Sequence, residues 1–290
     1  DRPRPPLKSY GGSMQSVTVD PALYARLKKV SPKLGGTLFA TLLSSFASML
    51  HHLTGQDDIV IGVPAAGQTR VGCDELVGHC LNFLPLRLNP AGDRAFPSFA
   101  AEVKEEVLEA YDHQNYTFGS LLRKIKVPRD PSRVPLVSVI FNIDKSGIDQ
   151  IHMDGLKMHV ATNPKQFVNF DLFFNLVQTE QRLVIECEYN TDIFDSASAT
   201  RMMGYYTRLL EDIADHPEKT IGQLEILTDD AKSVLVRDWA GSSSDYPRDT
   251  NIGELLIETA ERFPKRVAIQ AGEISLTYRQ LLTEASRLTA

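Results

Sequence analysis

The stretch from Asp58 to Leu88, DIVIGVPAAGQTRVGCDELVGHCLNFLPLRL, constrains this chain more than any other. Ile59, Val60 and Ile61 make an apolar run short enough for a buried strand, and Gly62, Pro64 and Gly67 then predict a turn. After a polar excursion the chain returns in a second apolar run, Phe83 to Leu88. A bend of this kind places backbone and small side chains beside a ligand.

The remaining pattern predicts what that bend packs against. Leu136 to Ile143 and Leu172 to Val177 are almost continuously apolar, as in strands covered on both faces. Leu183 to Tyr189 alternates instead, which predicts that Glu186 and Glu188 face water. Met14 to Val19 reads as a further strand. Helices are predicted from Pro21, with Asp20 as N-cap, to about Lys33; across Leu38, Leu42, Phe46, Met49, Leu50 and Leu53 up to Gly55; from Phe96-Pro97 to near His113; from Phe118 to Ile125; and from Ser196 to about Ala214, with Asp195 as N-cap. Strands and helices interleave, so the fold class is α/β, a mixed sheet layered with helices.

Length and composition allow one large domain or two ordinary ones: 290 residues, 42% hydrophobic and 23% charged. A net charge of -6 without a basic stripe argues against nucleic acid or an anionic membrane as the principal partner. Cys73, Cys80 and Cys187 have no CxxC spacing, so neither a disulfide framework nor a zinc site is expected. The N-terminus lacks the apolar core of a signal peptide, and the greasiest stretch, Leu38 to Leu50, is too short to span a bilayer. A reducing cytoplasm is the expected setting. Residues 1–12, rich in proline and arginine, read as an extended linker, and residues 241–250, GSSSDYPRDT, as an interdomain linker after a polar helix at 228–238. A new unit begins at residue 251 with an amphipathic helix, a hairpin turning at Gly272 and the start of another helix. That unit is too short to stand alone, so the chain reads as a fragment of something longer.

Several local patterns invite chemistry. GVPAAGQT, Gly62 to Thr69, has the spacing of a phosphate loop, but Gln68 stands in place of the lysine and Pro64 removes a backbone donor, leaving a structural turn or a substrate-facing loop. His51-His52 before Asp57-Asp58 could suggest a metal site. Adjacent helical residues diverge by about 100 degrees, however, so helix-end histidines are the simpler reading. His79-Cys80 could suggest a thiol dyad, but neighbours on an extended segment face opposite sides. His113-Gln114 follows a helix, and Asn169 and Asp171 are predicted to share one strand face, as polar groups that need partners from the backbone or from a substrate.

Taken in order, IVIGVPAAGQTR, ELVGHCLNFLPLRL, AYDHQNYTFGSLLRKI and RDPSRVPLVSVIFNI resemble the later motifs of condensation domains of non-ribosomal peptide synthetases. LTYRQL, Leu276 to Leu281, is similar to the first motif of an adenylation domain. The resemblance implies a chloramphenicol-acetyltransferase-like fold and a division into an inter-lobe linker (1–12), the C-terminal lobe of a condensation domain (13–227), a linker (228–250) and the truncated start of an adenylation domain (251–290). It implies amide formation between acyl or peptidyl and aminoacyl thioesters, both carried by phosphopantetheine on carrier proteins, in a tunnel between two lobes.

The family's HHxxxDG motif belongs to the other lobe and is absent here, so no catalytic residue and no directly bound cofactor or metal is expected. Gly62, Pro64, Asn82, His113, Gln114, Asn169 and Asp171 are the expected tunnel residues, and Arg129, Asp130 and Arg133 are expected to hold the fold. Implied partners are carrier proteins, the N-terminal lobe and the adjoining adenylation domain; a non-catalytic carrier-binding platform is the alternative. Gln68, His79-Cys80 and the His113 to Gly119 variant depart from the usual pattern, and the GHCLNFLPLR variant resembles that of condensation domains in mixed polyketide and peptide assembly lines, whose donor can be an acyl chain.

Overall fold

The computed structural model describes residues 1–67, 78, 80–145, 162–238 and 249–289. Gln68, Cys73 and His79 lie outside these residues, as does most of the predicted linker at 241–250. Two compact units divide the chain, Asp1–Lys232 and Ser233–Ala290.

The first unit is built on a six-stranded sheet of β1 (Gly12–Thr18), β2 (Ile59–Ala66), β3 (Leu81–Leu88), β4 (Val139–Lys145), β5 (Leu172–Gln178) and β6 (Leu183–Asn190), in the order β1-β6-β5-β4-β2-β3. β4 runs parallel to β5 and β2, and the other pairings are antiparallel, so the sheet is mixed as expected. Helices α1 (Pro21–Val30), α2 (Leu38–Thr54), α3 (Phe96–Asp112), α4 (Phe118–Lys124) and α5 (Ser196–Asp215) complete the unit, and α6 (Asp229–Ser233) runs over its last residue.

The core helix forms where its signals lie. The Thr37 side chain accepts from Ala40 N–H, and Gly55 ends α2 at φ 68°, a left-handed conformation that costs glycine little. Every residue from Ala40 to Leu50 is buried, and Ser44, Ser45 and Ser48 satisfy their hydroxyls on carbonyls four residues back. Phe46 packs between Phe141 and Phe174, with ring centroids 5.3 and 4.8 Å away, so α2 is pinned to the centre of the sheet. Tyr206 of α5 meets Phe46 and Phe174 edge-on and donates to Leu42 O at 2.8 Å.

Three expectations are corrected. Gly62 and Pro64 do not form a turn: β2 continues through both, with Gly62 opposite Pro85 and Pro64 opposite Phe83. A Cβ at 62 would lie 2.5 Å from Ile140 Cδ1 and 2.6 Å from Val137 Cγ1, so any larger residue must push these side-chain tips aside, while the nearest backbone atom, Val139 O, stays 3.7 Å away. Proline is tolerated at 64 because the register of β2 with β4 is confined to Gly62 and Ile140. Second, β4 starts at Val139 and not at Leu136, whose φ of 67° cannot continue a strand. Third, Glu186 does not face water; it is 5% exposed.

The second unit has α7 (Ile252–Arg262), the hairpin β7 (Val267–Ala271) and β8 (Ile274–Thr277), and α8 (Tyr278–Thr289). Asn251 and Glu254 form a reciprocal cap on α7, and Gly272 takes φ 59° in the predicted hairpin turn. Leu276 to Leu281 runs from the end of β8 into α8. Among the described residues no single helix is long and apolar enough to cross a membrane.

Candidate functional site

At the β3 edge of the sheet, Asn82 joins two of the predicted motifs. Its amide donates to Gln114 O at 2.8 Å and Tyr116 O at 3.2 Å, and its Oδ1 accepts from Phe118 N–H at 3.0 Å. One side chain thus fixes the whole turn between α3 and α4. Gly67, Cys80, Asn82, Phe83, Gln114 and Phe118 line a cleft of about 480 Å³ at this junction. His113 caps α3 and is exposed, and its backbone N–H bonds Glu109 O at 3.2 Å. Gly67 N–H bonds Cys80 O at 2.8 Å, closing the neck of the excursion between β2 and β3.

Phe83, paired with Pro64, carries the site along the sheet: its ring meets Phe170 at 5.3 Å and Phe118 at 6.4 Å. Asn169 and Asp171 flank Phe170 but do not share a strand face, because β5 begins only at Leu172. Asn169 is exposed. Asp171 is held by Arg4, whose guanidinium donates to both carboxylate oxygens at 2.9 and 2.6 Å. The hydrogen bonds that Arg4 donates to Asp171, together with the charge of that carboxylate, raise the Arg4 pKa against the opposing effect of burial.

Arg4 belongs to a docked strap. Asp1 accepts from Asp195 N–H and Ser198 Oγ, the Arg2 guanidinium donates to Thr191 O and Phe194 O, and Lys8 N–H bonds Pro131 O. Residues 1–8 are therefore tied across the sheet end instead of passing freely into it. Asp130 accepts from the Ser132 N–H and hydroxyl and pairs with Arg133 at 2.6 Å; these bonds, the Ser132 hydroxyl first, hold its carboxyl below the ordinary range. Arg129 is exposed.

Sequence reasoning missed a polar row across the sheet. Asn142 of β4 stands opposite Asn175 of β5, and Asn175 opposite Glu186 of β6. Asn142 Nδ2 donates to Asn175 Oδ1 at 2.9 Å, and Asn175 Nδ2 donates to Glu186 Oε2 at 3.0 Å. With Ser16 of β1, these residues line a cavity of about 560 Å³. Two asparagines inside otherwise apolar runs were the available signal.

The remaining titratable groups serve structure. His51 Nδ1 lies 3.0 Å from Gln56 O and 3.1 Å from an Asp57 oxygen, while His52 Nε2 meets Ile221 O at 2.8 Å. Burial lowers the His52 pKa, outweighing the hydrogen bond to Ile221. Burial likewise pushes the Cys187 thiol up to about 12, which makes it a poor nucleophile. Among the described residues no group of histidine, cysteine or carboxylate side chains could hold a metal ion. The arrangement is thus a wall that can bind and orient.

Comparison with known proteins agrees with this geometry. The profile of the condensation domain family matches residues 1–236. The chain is 32% identical to surfactin synthase subunit 1 of Bacillus subtilis over 99% of its own length, and 31% identical to tyrocidine synthase 2 of Brevibacillus parabrevis over 100% of it. It spans only 8% of each of those relatives. Among solved structures, a four-domain nonribosomal peptide synthetase bound to AMP and glycine matches all of the chain over 23% of its own, with a TM-score of 0.78 and 22% identity. The X-domain from teicoplanin biosynthesis, in complex with OxyB, matches 79% of the chain over 51% of its own, at 0.70 and 24%. The first condensation domain of the CDA synthetase matches 75% over 48%, at 0.63 and 22%. The fold is therefore the chloramphenicol-acetyltransferase-like one expected from the sequence, and the chain belongs to the condensation domain family of nonribosomal peptide synthetases.

Proposed function

We propose that residues 13–227 are the C-terminal lobe of a condensation domain, supplying one wall of a tunnel in which an aminoacyl amine attacks a donor acyl or peptidyl thioester. The observation that carries this reading is the coverage: three quarters of the chain falls on 48% of a single condensation domain. The wall is the sheet face opposite α2, which holds Asn142 and Asn175 and is continued by Gly62, Pro64 and Phe83, with the Asn82, His113 and Gln114 junction at its edge and Asn169 at its rim. Phosphopantetheine on carrier proteins would present both thioesters, and the acid-base histidine would come from the N-terminal lobe. This lobe alone is expected to be inactive. Residues 251–290 are read as the start of an adenylation domain, a reading supported by the match of the whole chain to a multidomain synthetase.

Joining the chain to its N-terminal lobe and supplying loaded donor and acceptor carrier proteins tests the proposal by mass spectrometry of the acceptor-bound product. Amide formation that needs both lobes is expected; an intact module that makes no amide with any loaded pair overturns it. The match to the X-domain in complex with OxyB suggests a second reading, a non-catalytic docking platform. An N-terminal lobe without HHxxxDG would select that reading.

A further inference from the structure

The polar row ends in a carboxylate whose surroundings are unusual. Glu186 is 5% exposed, yet its carboxylate accepts only from neutral groups, Asn175 Nδ2 on one oxygen and the Thr162 hydroxyl on the other. Among the described residues it has no ion-pair partner, although two cations line the same cavity, Arg182 and Lys165, the latter pairing with Glu188 at 3.3 Å. A buried carboxylate held only by neutral donors is stabilised further by a cation placed directly on it. A carboxylate has about four lone-pair sites. Glu186 thus keeps acceptor capacity on both oxygens, and it faces the 560 Å³ cavity that Asn142, Asn175 and Ser16 also line, where, among the described residues, three carboxylates, Asp144, Glu186 and Glu188, outnumber the two cations, Lys165 and Arg182.

The order of donation along the row has a direction: Asn142 donates to Asn175, which donates to Glu186. Each amide is thereby fixed in orientation, and the negative charge is held at the β6 end, opposite Ser16 of β1. An ammonium matches this better than a guanidinium. Guanidinium favours side-on approach to both carboxylate oxygens in one plane, whereas here each oxygen already holds one neutral donor. An ammonium is a compact point charge that can sit on one oxygen and turn its other donors to neighbouring acceptors.

We propose that Glu186, oriented by Asn142 and Asn175, binds a primary ammonium on the side chain of a tethered acyl or aminoacyl substrate, so that this wall favours diamino acyl units. The proposal rests on the reading of the sheet face opposite α2 as a substrate wall. The ammonium it holds is remote from the reacting amine, which must be neutral to attack.

The test uses the 290-residue chain, isotope-labelled for NMR, and two N-acetylcysteamine thioesters, Nα-acetyl-lysyl and Nα-acetyl-2-aminoheptanoyl, which differ by a terminal ammonium against a methyl. The lysyl probe is expected to shift the Asn142 and Asn175 side-chain amides and to bind at least about tenfold more tightly, a difference of about 1.4 kcal/mol. Glu186→Gln should bring the two probes within about twofold of each other. S16K, which places a cation in register with Glu186, should remove the preference while the carboxylate stays, and so covers a failure of Glu186→Gln to fold. Equal binding in the wild type, a preference that either variant retains, or no shift at the two asparagines overturns the proposal. So does a preference that vanishes when the N-terminal lobe is appended, because a basic residue of that lobe would then be the occupant. Amide synthesis by the joined module without a lysyl preference sinks this inference alone, whereas probe selectivity without amide synthesis sinks only the condensation reading.

Discussion

Arg4 holds Asp171 through two parallel hydrogen bonds of 2.9 and 2.6 Å, with side chains only 24% and 14% exposed. Bidentate geometry and partial burial put this pair above ordinary surface ion pairs. Arg4→Ala should cost about 2 kcal/mol in urea unfolding, and Asp171→Ala a similar amount. The double variant should lose much less than the sum. Strict additivity would show that the pair contributes nothing specific.

Gly62 leaves no room for a side chain against Ile140 and Val137. Gly62→Ala should destabilise by about 1–3 kcal/mol through overpacking. Adding Ile140→Val, which removes the terminal methyl a new Cβ would strike, should recover part of the loss. A midpoint for Gly62→Ala equal to wild type would show that the Ile140 and Val137 side chains give way at no cost.

Asn82→Ala removes three hydrogen bonds at once and leaves Phe118 N–H without its acceptor. The expected cost is about 1–3 kcal/mol. Amide exchange at Phe118 should accelerate by at least about tenfold through local opening, while α2 amides keep their protection relative to global stability. Uniform acceleration across the unit would assign Asn82 to the core instead of to the turn.

Asp212 provides a pH signature. It is 3% exposed; burial alone would raise its pKa, but Lys219, the Glu225 N–H and His216 together outweigh burial and lower it. Lys219 Nζ lies 2.8 Å from both oxygens. A depressed carboxylate contributes stability that is present above its unfolded pKa and lost as pH falls through the folded one. Wild-type stability should therefore drop below about pH 4, whereas Asp212→Asn should be less stable at pH 7 and flatter in the acid range. Parallel acid profiles for the two proteins would rule out this role.

Elements with strong periodicity and caps were legible in the sequence. α2 between Thr37 and Gly55, α5 after Asp195 and the Gly272 hairpin all stand where their local signals put them. Pro64 misled because local turn chemistry carries no knowledge of which strand edge is free. Glu186 misled for a related reason: alternation predicts two faces, but not that Thr162 and Asn175 would enclose one of them. Asn82 and Gln114 were singled out separately, and only the tertiary fold joins them. Asp171 was legible as a residue that needs a partner, but Arg4 was hidden in a stretch read only as linker, and nothing local relates positions so far apart.

That separation has a consequence for biosynthesis. Asp1, Arg2 and Arg4 find partners 167 to 197 positions downstream, and β1 pairs along its whole length with β6. At about 5–20 residues per second, a ribosome needs roughly 10–40 s to make the intervening chain. Throughout that interval β1 and the arginines before it stay undocked at the tunnel exit, so one flank of the sheet must seal last. Nascent chains stalled before and after residue 198 should differ in protease sensitivity at residues 1–18, recording the moment of closure.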